Sequence, residues 1–444
     1  MKISAVLKEL AGLWRGKLYV VGGAVRDAIL GVPTADVDLA SPLTADEVRA
    51  LLEGTRFRTE PHSLKLGTLG IYADGEKFEY TAFRTDSYDM RGAHSPSAVS
   101  FGRTLEEDAL RRDFTVNALY YDIEEDKTVD VTGGREDIAR KLIRTVRAPE
   151  AVIAEDALRI MRMVRFAASY GFEIDPGVME CARAMSGNLK NVAPERIREE
   201  FERILSADAV CGIAGAQRRG LELLTECGAI DHIVPELKEG IGVEQNKRWH
   251  RFDVYGHILS TVEHAPRRIR LAALFHDIAK PVLKRETGVT AGHAERGAEI
   301  AARRLSALRY PKAEIGEVKE LVAAHMFDLK CNESEEALRL FVQEHVGIID
   351  KLCELKDADW AGGGTREGTN PSADRIRALL PVMRAEGVAF AVKELKITGA
   401  DLTGIEPARR SVALYELMKR TATDARARTR EGALEFLNKF KSGG

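Results

Sequence analysis

Cysteine is scarce in this chain and badly placed for cross-linking. The five cysteines (Cys181, Cys211, Cys227, Cys331 and Cys353) are odd in number and widely spaced, and no CxxC occurs. That argues against a disulfide framework and a thiolate zinc site, and leads to the expectation of reduced thiols in a cytoplasmic protein. A charge excess is missing too. Sixty-six Lys and Arg face 69 Asp and Glu, for a net charge of −3. Bulk charge therefore announces no nucleic-acid partner, and any such surface must be a local patch. Long apolar runs are absent, so no membrane partner is expected. The opening stretch MKISAVLKELAGLW is broken by Lys8 and Glu9 and lacks a signal-peptide core. The 444 residues suffice for two to four domains with good cores.

What is present is organised around Leu18–Leu39, LYVVGGAVRDAILGVPTADVDL. The β-branched and aromatic run Leu18–Val21 predicts a strand. Gly22-Gly23 ends it in a turn that needs positive φ or close backbone approach. Ala24–Leu30 reads as a helix whose first N–H groups form a ready anion site. Gly31-Val32-Pro33 stops it, and Asp36-Val37-Asp38 follows on an extended segment. Side chains at i and i+2 of a strand share a face, so Asp36 and Asp38 point the same way. Two like charges that close repel unless a cation lies between them. Paired carboxylates facing a phosphate-binding turn are what two-metal phosphoryl or nucleotidyl transfer requires.

Further along, residues 1–14 predict an amphipathic helix. Thr44–Glu53 predicts a helix with a Thr44–Glu47 capping box. Leu66–Ala73 and Lys77–Phe83 predict two strands around Asp74-Gly75. Glu79 lies mid-strand, either as a third carboxylate or as a solvent-facing residue of an edge strand. Asp86–Val99 has no period and reads as a mobile loop. Thr104–Asp113 reads as helical and Phe114–Tyr121 as helix-compatible. The composition shifts near Gly133-Gly134, and the remainder reads as almost wholly helical, with a long helix at 154–170 and a proline-initiated one at Pro194–Leu205. The charged end, Lys419–Lys441, is a solvated helix face or an RNA-contacting patch.

Two further stretches carry chemistry. LEEDALRRDFTVNALY (105–120) puts Arg111 and Arg112 beside the sheet, where forked donors suit a triphosphate. In EDALRIMRMVRF (155–166), Asp156, Arg159 and Arg162 recur every third residue on one helix face, with Arg165 drifting further round. An aspartate accepts from the exocyclic amine of cytosine or adenine, and an arginine donates to the adjacent ring nitrogen. Uracil and guanine present the opposite pattern there and leave buried groups unpaired.

GGAVRD…DVD, the polar loop, LEEDALRRDFTVNAL, DVTGGREDI, EDALRIMRMVRFAA and PERIREEFERIL occur in the order seen in bacterial tRNA nucleotidyltransferases, which share head and neck with bacterial poly(A) polymerases. The chain resembles that family over about residues 15–205. The resemblance implies an α+β fold: a polymerase-β-like nucleotidyltransferase head, a small mixed sheet with helices, followed by an all-α neck, body, HD domain and tail. The expected divisions are head 1–138, neck 139–205, body 206–248, HD domain 249–360 and tail 361–444. The resemblance also assigns Mg²⁺ to Asp36 and Asp38, and nucleotide phosphates and sugar to Gly23, Arg26 and Arg112. It gives nucleotide selection to Asp156, Arg159, Arg162 and Arg165, and a head–neck hinge to Asp130–Arg135. The polar loop departs from the family's arginine- and acid-rich pattern, which only Asp86, Asp89 and Arg91 partly meet.

Residues 249–360 hold a second constellation. His257, His276-Asp277, His293, His325 and Asp359 follow an order similar to the HD phosphohydrolase superfamily, with LFHDIAKP and HAERGAEIA as the matching words. The implied ligands are His257, His276, Asp277 and Asp359, for Ni²⁺, Mn²⁺ or Mg²⁺. His293 and His325 would take a second metal or, as cations, orient a phosphate. The expected function is addition of C and A to a tRNA 3′ end from CTP and ATP, with a second phosphohydrolase site. The alternatives are a CC-adding, A-adding or poly(A) polymerase, or an HD nucleotide hydrolase with an RNA-binding N-terminal half.

Overall fold

The computed structural model describes residues 1–34, 36–87, 98–102 and 104–442. They form two compact units, Met1–Pro235 and Glu236–Gly444. Asp89 and Arg91 of the polar loop lie outside the described residues, as does the Asp86 side chain.

The first unit opens with helix α1 (Ala5–Leu13) and strand β1 (Tyr19–Val21). All three β1 residues are buried, as expected of a strand covered on both faces. Helix α2 (Gly23–Leu30) follows Gly22, whose φ of 69° requires glycine. Then come β2 (Val37–Ser41) and α3 (Ala45–Leu52), with the predicted Thr44–Glu47 capping box. Strands β3 (Arg58–Ser63), β4 (Thr68–Ala73) and β5 (Glu76–Ala82) complete one side of a seven-stranded sheet. Strands β6 (Arg84–Ser87) and β7 (Ala98–Phe101) pair separately, so the ends of the expected loop are strands. Helix α4 (Leu105–Leu110) leads to β8 (Leu119–Asp122) and β9 (Lys127–Asp130).

The large sheet runs β3-β4-β5-β2-β1-β8-β9. Strand β2 is antiparallel to β1 and parallel to β5, so the sheet is mixed. Two readings need correction. Phe114–Tyr121 is not helical beyond a single 3₁₀ turn at Thr115–Asn117, because β8 pairs with β1. Glu79 faces solvent, but β5 lies inside the sheet between β4 and β2 and is not an edge strand.

The helices of this unit continue with α5 (Gly134–Arg140), α6 (Pro149–Glu155), α7 (Leu158–Tyr170), α8 (Pro176–Met185), α9 (Pro194–Leu205), α10 (Asp208–Cys211) and α11 (Ala216–Glu226). The predicted helix at 154–170 is broken. Asp156 is extended at φ −151°, ψ 105°, and its carboxylate accepts the Leu158 N–H at 3.0 Å. A short acid that caps the next turn competes with the helix ladder at this position.

The second unit is helical: α12 (Val254–His264), α13 (Arg270–Phe275), α14 (Lys280–Thr287), α15 (His293–Ala307), α16 (Lys312–Ala324), α17 (Glu335–Glu344), α18 (Ile349–Gly362), α19 (Pro371–Ala385), α20 (Pro407–Thr423) and α21 (Arg430–Ser442). Leu417 and Leu437 are fully buried in a distinct core built around α20 and α21. No described helix is long and apolar enough to cross a membrane.

Candidate active site

A cleft of about 510 Å³ in the first unit collects residues from GGAVRD…DVD, LEEDALRRDFTVNALY and EDALRIMRMVRF. Its walls hold eight arginines and five aspartates. Asp38 enters on β2 and Asp36 just before it; both are exposed to the cleft. The surrounding walls desolvate Asp38 and raise its carboxyl above the ordinary value. Glu79 and Asp36 add to this, while Arg112 opposes it. Asp36 and Asp38 face one cleft, with Glu79 opposite Asp38 on the neighbouring strand, and a divalent cation relieves the repulsion of such carboxylates.

Gly22 and Gly23 form the cleft's backbone edge. A Cβ on Gly22 would stand 3.1 Å from the Arg112 guanidinium, so the turn and the arginine meet closely. Arg112 is held from behind by Asp108 at 3.0 Å and the Tyr120 hydroxyl at 3.0 Å. Arg26 is buried under the same edge, bonded to Asp27, Asn117 and Tyr170, with the Tyr170 ring 4.3 Å from its guanidinium. This packing fixes the position of Arg26 at the cleft.

The far wall comes from Asp156, α7 and α9. Arg159 donates to the Val152 and Arg111 carbonyls and to Glu155, all at 2.8–2.9 Å. The Arg162 Nε donates to Asp113 at 2.7 Å. Burial alone would push the Asp113 carboxyl up; Arg162, Asn117 and Arg159 override it and hold it well below the carboxylate range. Arg165, which drifts away on an ideal helix wheel, lines the same cleft because Glu200 on α9 holds its Nε at 2.6 Å. The sequence reading missed Glu200 and Arg196. Glu200 is 4% exposed, and Arg196 stands 3.7 Å from Asp156. Both lie in the PERIREEFERIL stretch, but nothing local marks Arg165 as the partner of Glu200 or Asp156 as that of Arg196.

In the second unit the six predicted residues converge. His257, His276 and Asp359 form one set and Asp277, His293 and His325 another, the ligand atoms of each within 4.8 Å of one another. Asp277 joins them, one oxygen 3.3 Å from the His257 Nε2 and the other 3.2 Å from the His293 Nε2. His276, His293 and His325 each place Nδ1 on a main-chain carbonyl three residues earlier, at 2.6–2.9 Å. A donated Nδ1–H fixes the tautomer that turns the Nε2 lone pair inward. The Nε2 atoms of His293 and His325 are buried without a hydrogen-bond partner. Burial pushes His325 down to about 3, which keeps it neutral. Burial would lower His257 as well, but Asp277 and Asp359 raise it to about 9. Orphaned imidazole nitrogens around shared carboxylates fit a metal centre. The sequence reading missed Lys280, which donates to Asp277 at 2.6 Å, and His250, whose ring centroid is 4.5 Å from that of His257.

Comparison with known proteins follows the same division. Residues 18–144 match the Poly A polymerase head domain, residues 171–241 the probable RNA- and SrmB-binding site of polymerase A, and residues 237–357 the HD domain. The polymerase-head and HD families are metal-dependent. Curated relatives named CCA-adding enzyme, from Streptococcus pyogenes and Limosilactobacillus fermentum, are each 40% identical over 223 residues, 50% of this chain and 52% of theirs. The chain thus matches about half the length of these relatives. A crystal structure of the Bacillus stearothermophilus CCA-adding enzyme in complex with CTP superposes with a TM-score of 0.69 at 25% identity. That match covers 98% of this chain and 97% of the other.

Proposed function

We propose that this protein is a tRNA nucleotidyltransferase that adds C and A to the tRNA 3′ end from CTP and ATP. The observation that carries the reading is the joining of Asp36 and Asp38 with the arginine wall in one cleft. Gly23, Arg26 and Arg112 bind the nucleotide phosphates and sugar. Asp156 accepts from the exocyclic amine of the base, while Arg159, Arg162 and Arg165 form the donor side, held in place by Glu155, Asp113 and Glu200. The RNA 3′-hydroxyl attacks the α-phosphate in line and pyrophosphate leaves. Mg²⁺ held by Asp36 and Asp38 would supply hydroxyl activation and charge neutralisation. The division into head 1–138, neck 139–205, body 206–248, HD domain 249–360 and tail 361–444 belongs to the same proposal, as does a cytoplasmic location.

The test is incorporation into tRNA lacking its 3′ end, with CTP alone, ATP alone or both. Asp36→Ala and Asp38→Ala should each lower addition by several kcal/mol of barrier, about a thousandfold, while tRNA binding is retained. Near-normal addition by either variant at saturating Mg²⁺ would place the chemistry elsewhere. Addition from CTP alone or from ATP alone as the full activity would point to a CC-adding or A-adding enzyme.

The inward lone pairs of His293 and His325 favour a second reading beside the first: a phosphohydrolase centre acting on phosphate esters such as 2′,3′-cyclic ends of RNA. His257, His276, Asp277 and Asp359 would hold Ni²⁺, Mn²⁺ or Mg²⁺, which supplies an activated water.

A further inference from the structure

Arg26 lines the cleft of the first unit, and one of the groups that hold it comes from a distant part of the chain. Tyr170 is the last residue of α7 and lies 144 positions beyond Arg26. We propose that Tyr170 is a positioning residue for the nucleotide's phosphates: its hydroxyl and ring hold the Arg26 guanidinium under the Gly22-Gly23 edge, where the triphosphate binds. The inference rests on the reading of Arg26 as a phosphate-binding residue and adds what sets that residue in place.

The Tyr170 hydroxyl meets two side chains of α2. It accepts from the Arg26 Nη2 at 2.5 Å and donates to the Asp27 carboxylate at 2.9 Å. Burial raises the phenol above its ordinary value; Arg26 opposes this and Asp27 adds to it, so the hydroxyl keeps its proton for Asp27. The Arg26 Nε donates to the same carboxylate oxygen at 2.9 Å, and its Nη2 is 2.9 Å from that oxygen as well. The Nη1 donates to Asn117. A guanidinium has five N–H groups, and these four contacts leave a donor for an anion in the cleft. A Cβ on Gly23 would stand 3.5 Å from Nη2, so the guanidinium lies beneath the turn that offers its backbone to phosphate. The Tyr170 ring adds a second hold, its centroid 4.3 Å from the guanidinium carbon.

Tyr170 is itself held. The buried rings of Phe166 and Phe172 lie against it, with centroids 6.3 Å and 6.0 Å away. Gly171 follows at φ 65° and ends α7, and the Phe172 N–H donates to the Ala167 carbonyl at 3.0 Å. This glycine-led stop fixes where the last side chain leaves the helix. Tyr170 does not line the cleft, so it acts through Arg26 and not on the nucleotide. Arg159, Arg162 and Arg165 stand on the same helix. One element therefore carries the donors for the base and the hold on the phosphate residue. The hold touches no base-reading group, so its loss is felt by CTP and ATP alike.

The test is steady-state addition by the full chain to tRNA lacking its 3′ end, at fixed free Mg²⁺. Tyr170→Phe keeps the ring and removes the hydroxyl. It should raise the KM for CTP and for ATP by about tenfold, the loss of a hydrogen bond to a charged group, and leave kcat and the KM for tRNA within about twofold. Inorganic tripolyphosphate, competing with CTP, should weaken by the same factor. Inhibition by cytidine and exclusion of UTP should stay as in the wild type, whereas a merely structural loss would move them too. Tyr170→Leu removes the ring as well and should weaken tripolyphosphate further. In an Arg26→Lys background, Tyr170→Phe should add less than about twofold, because residues that act as a unit are not additive. Unchanged CTP and tripolyphosphate affinity in Tyr170→Phe, an equal weakening of cytidine, or the whole loss repeated in the Arg26→Lys background overturns the proposal. Far-UV circular dichroism establishes that each Tyr170 variant is folded, and if one is not, the other decides. A wild-type protein that adds no nucleotide, or an Arg26→Lys variant with unchanged tripolyphosphate affinity, sinks the phosphate reading of Arg26. Weakened tripolyphosphate in Arg26→Lys beside unchanged affinity in Tyr170→Phe sinks the positioning role alone.

Discussion

At the scale of single residues, the first cleft depends on buried charge held by designated partners. Asp113 shows this best: it is 6% exposed, accepts Arg162 on one oxygen and takes Asn117 on the other at 3.1 Å. Asp113→Asn would turn a donor toward the Arg162 guanidinium. Breaking a buried pair costs roughly 3–5 kcal/mol, and the lower end, about 3 kcal/mol, applies here because the Arg162 side chain is 32% exposed. The pH sign follows from the depressed carboxyl. As pH falls, the unfolded chain takes up the proton first, near its ordinary value of about 4. The stability Asp113 confers is therefore complete above that pH and is lost as pH falls through the lower folded value. Denaturant melts of wild type and Asp113→Asn should differ by a constant amount at neutral pH and converge in acid. A difference that grew on acidification would refute the pairing. Asp38 on β2 and Arg159 and Arg162 on α7 follow the spacing read from the sequence, whereas Asp156 reaches the cleft from the extended turn before α7 and Arg165 through Glu200. Glu200 was not legible in the sequence: it meets Arg165 from 35 residues away, and only packing of α9 on α7 brings them together.

At the scale of elements, close helix contacts set the geometry of the second centre. Gly362 ends α18, and a Cβ there would stand 2.4 Å from the Thr261 hydroxyl and 2.8 Å from its backbone nitrogen. Thr261 is on α12 and donates to the His257 carbonyl at 2.9 Å. Three residues before Gly362 is Asp359, so this contact governs the 3.0 Å approach of His257 to Asp359. Gly362→Ala should destabilise the protein by about 1–3 kcal/mol, the usual cost of overpacking, and weaken Mn²⁺ uptake. Gly316→Ala on α16, where nothing lies within 4 Å, should instead stabilise by up to about 1 kcal/mol. Thermal melts and Mn²⁺ titration of both variants would check this, and equal behaviour would show that the α12–α18 contact is irrelevant. Elements were legible where caps and turns spoke locally, as at Thr44 and at the Asp74-Gly75 hairpin. Leu119–Asp122 was misread because an apolar run of this length suits helix and strand alike. Its partner in the sheet, β1, lies about a hundred residues upstream.

At the scale of the whole molecule, two charged centres belong to two compact units with separate cores. The composition held no hint of this division. Local words such as DVD and HD gave the two chemistries, and each set of partners was spread over a hundred residues or more. The double variant His276→Ala with Asp277→Ala should lose phosphate-ester hydrolysis and retain C and A addition, measured side by side in the full chain. Loss of both, in a protein that still melts cooperatively, would mean that the centres are not independent. Asp277, which touches the two histidine sets with its two oxygens, has a consequence for how such a centre can change over descent. A lineage could exchange His293 or His325 and keep the other half as a simpler site. Exchange of Asp277 removes the member common to both halves at once, so the path from two half-sites to one cannot begin at that position.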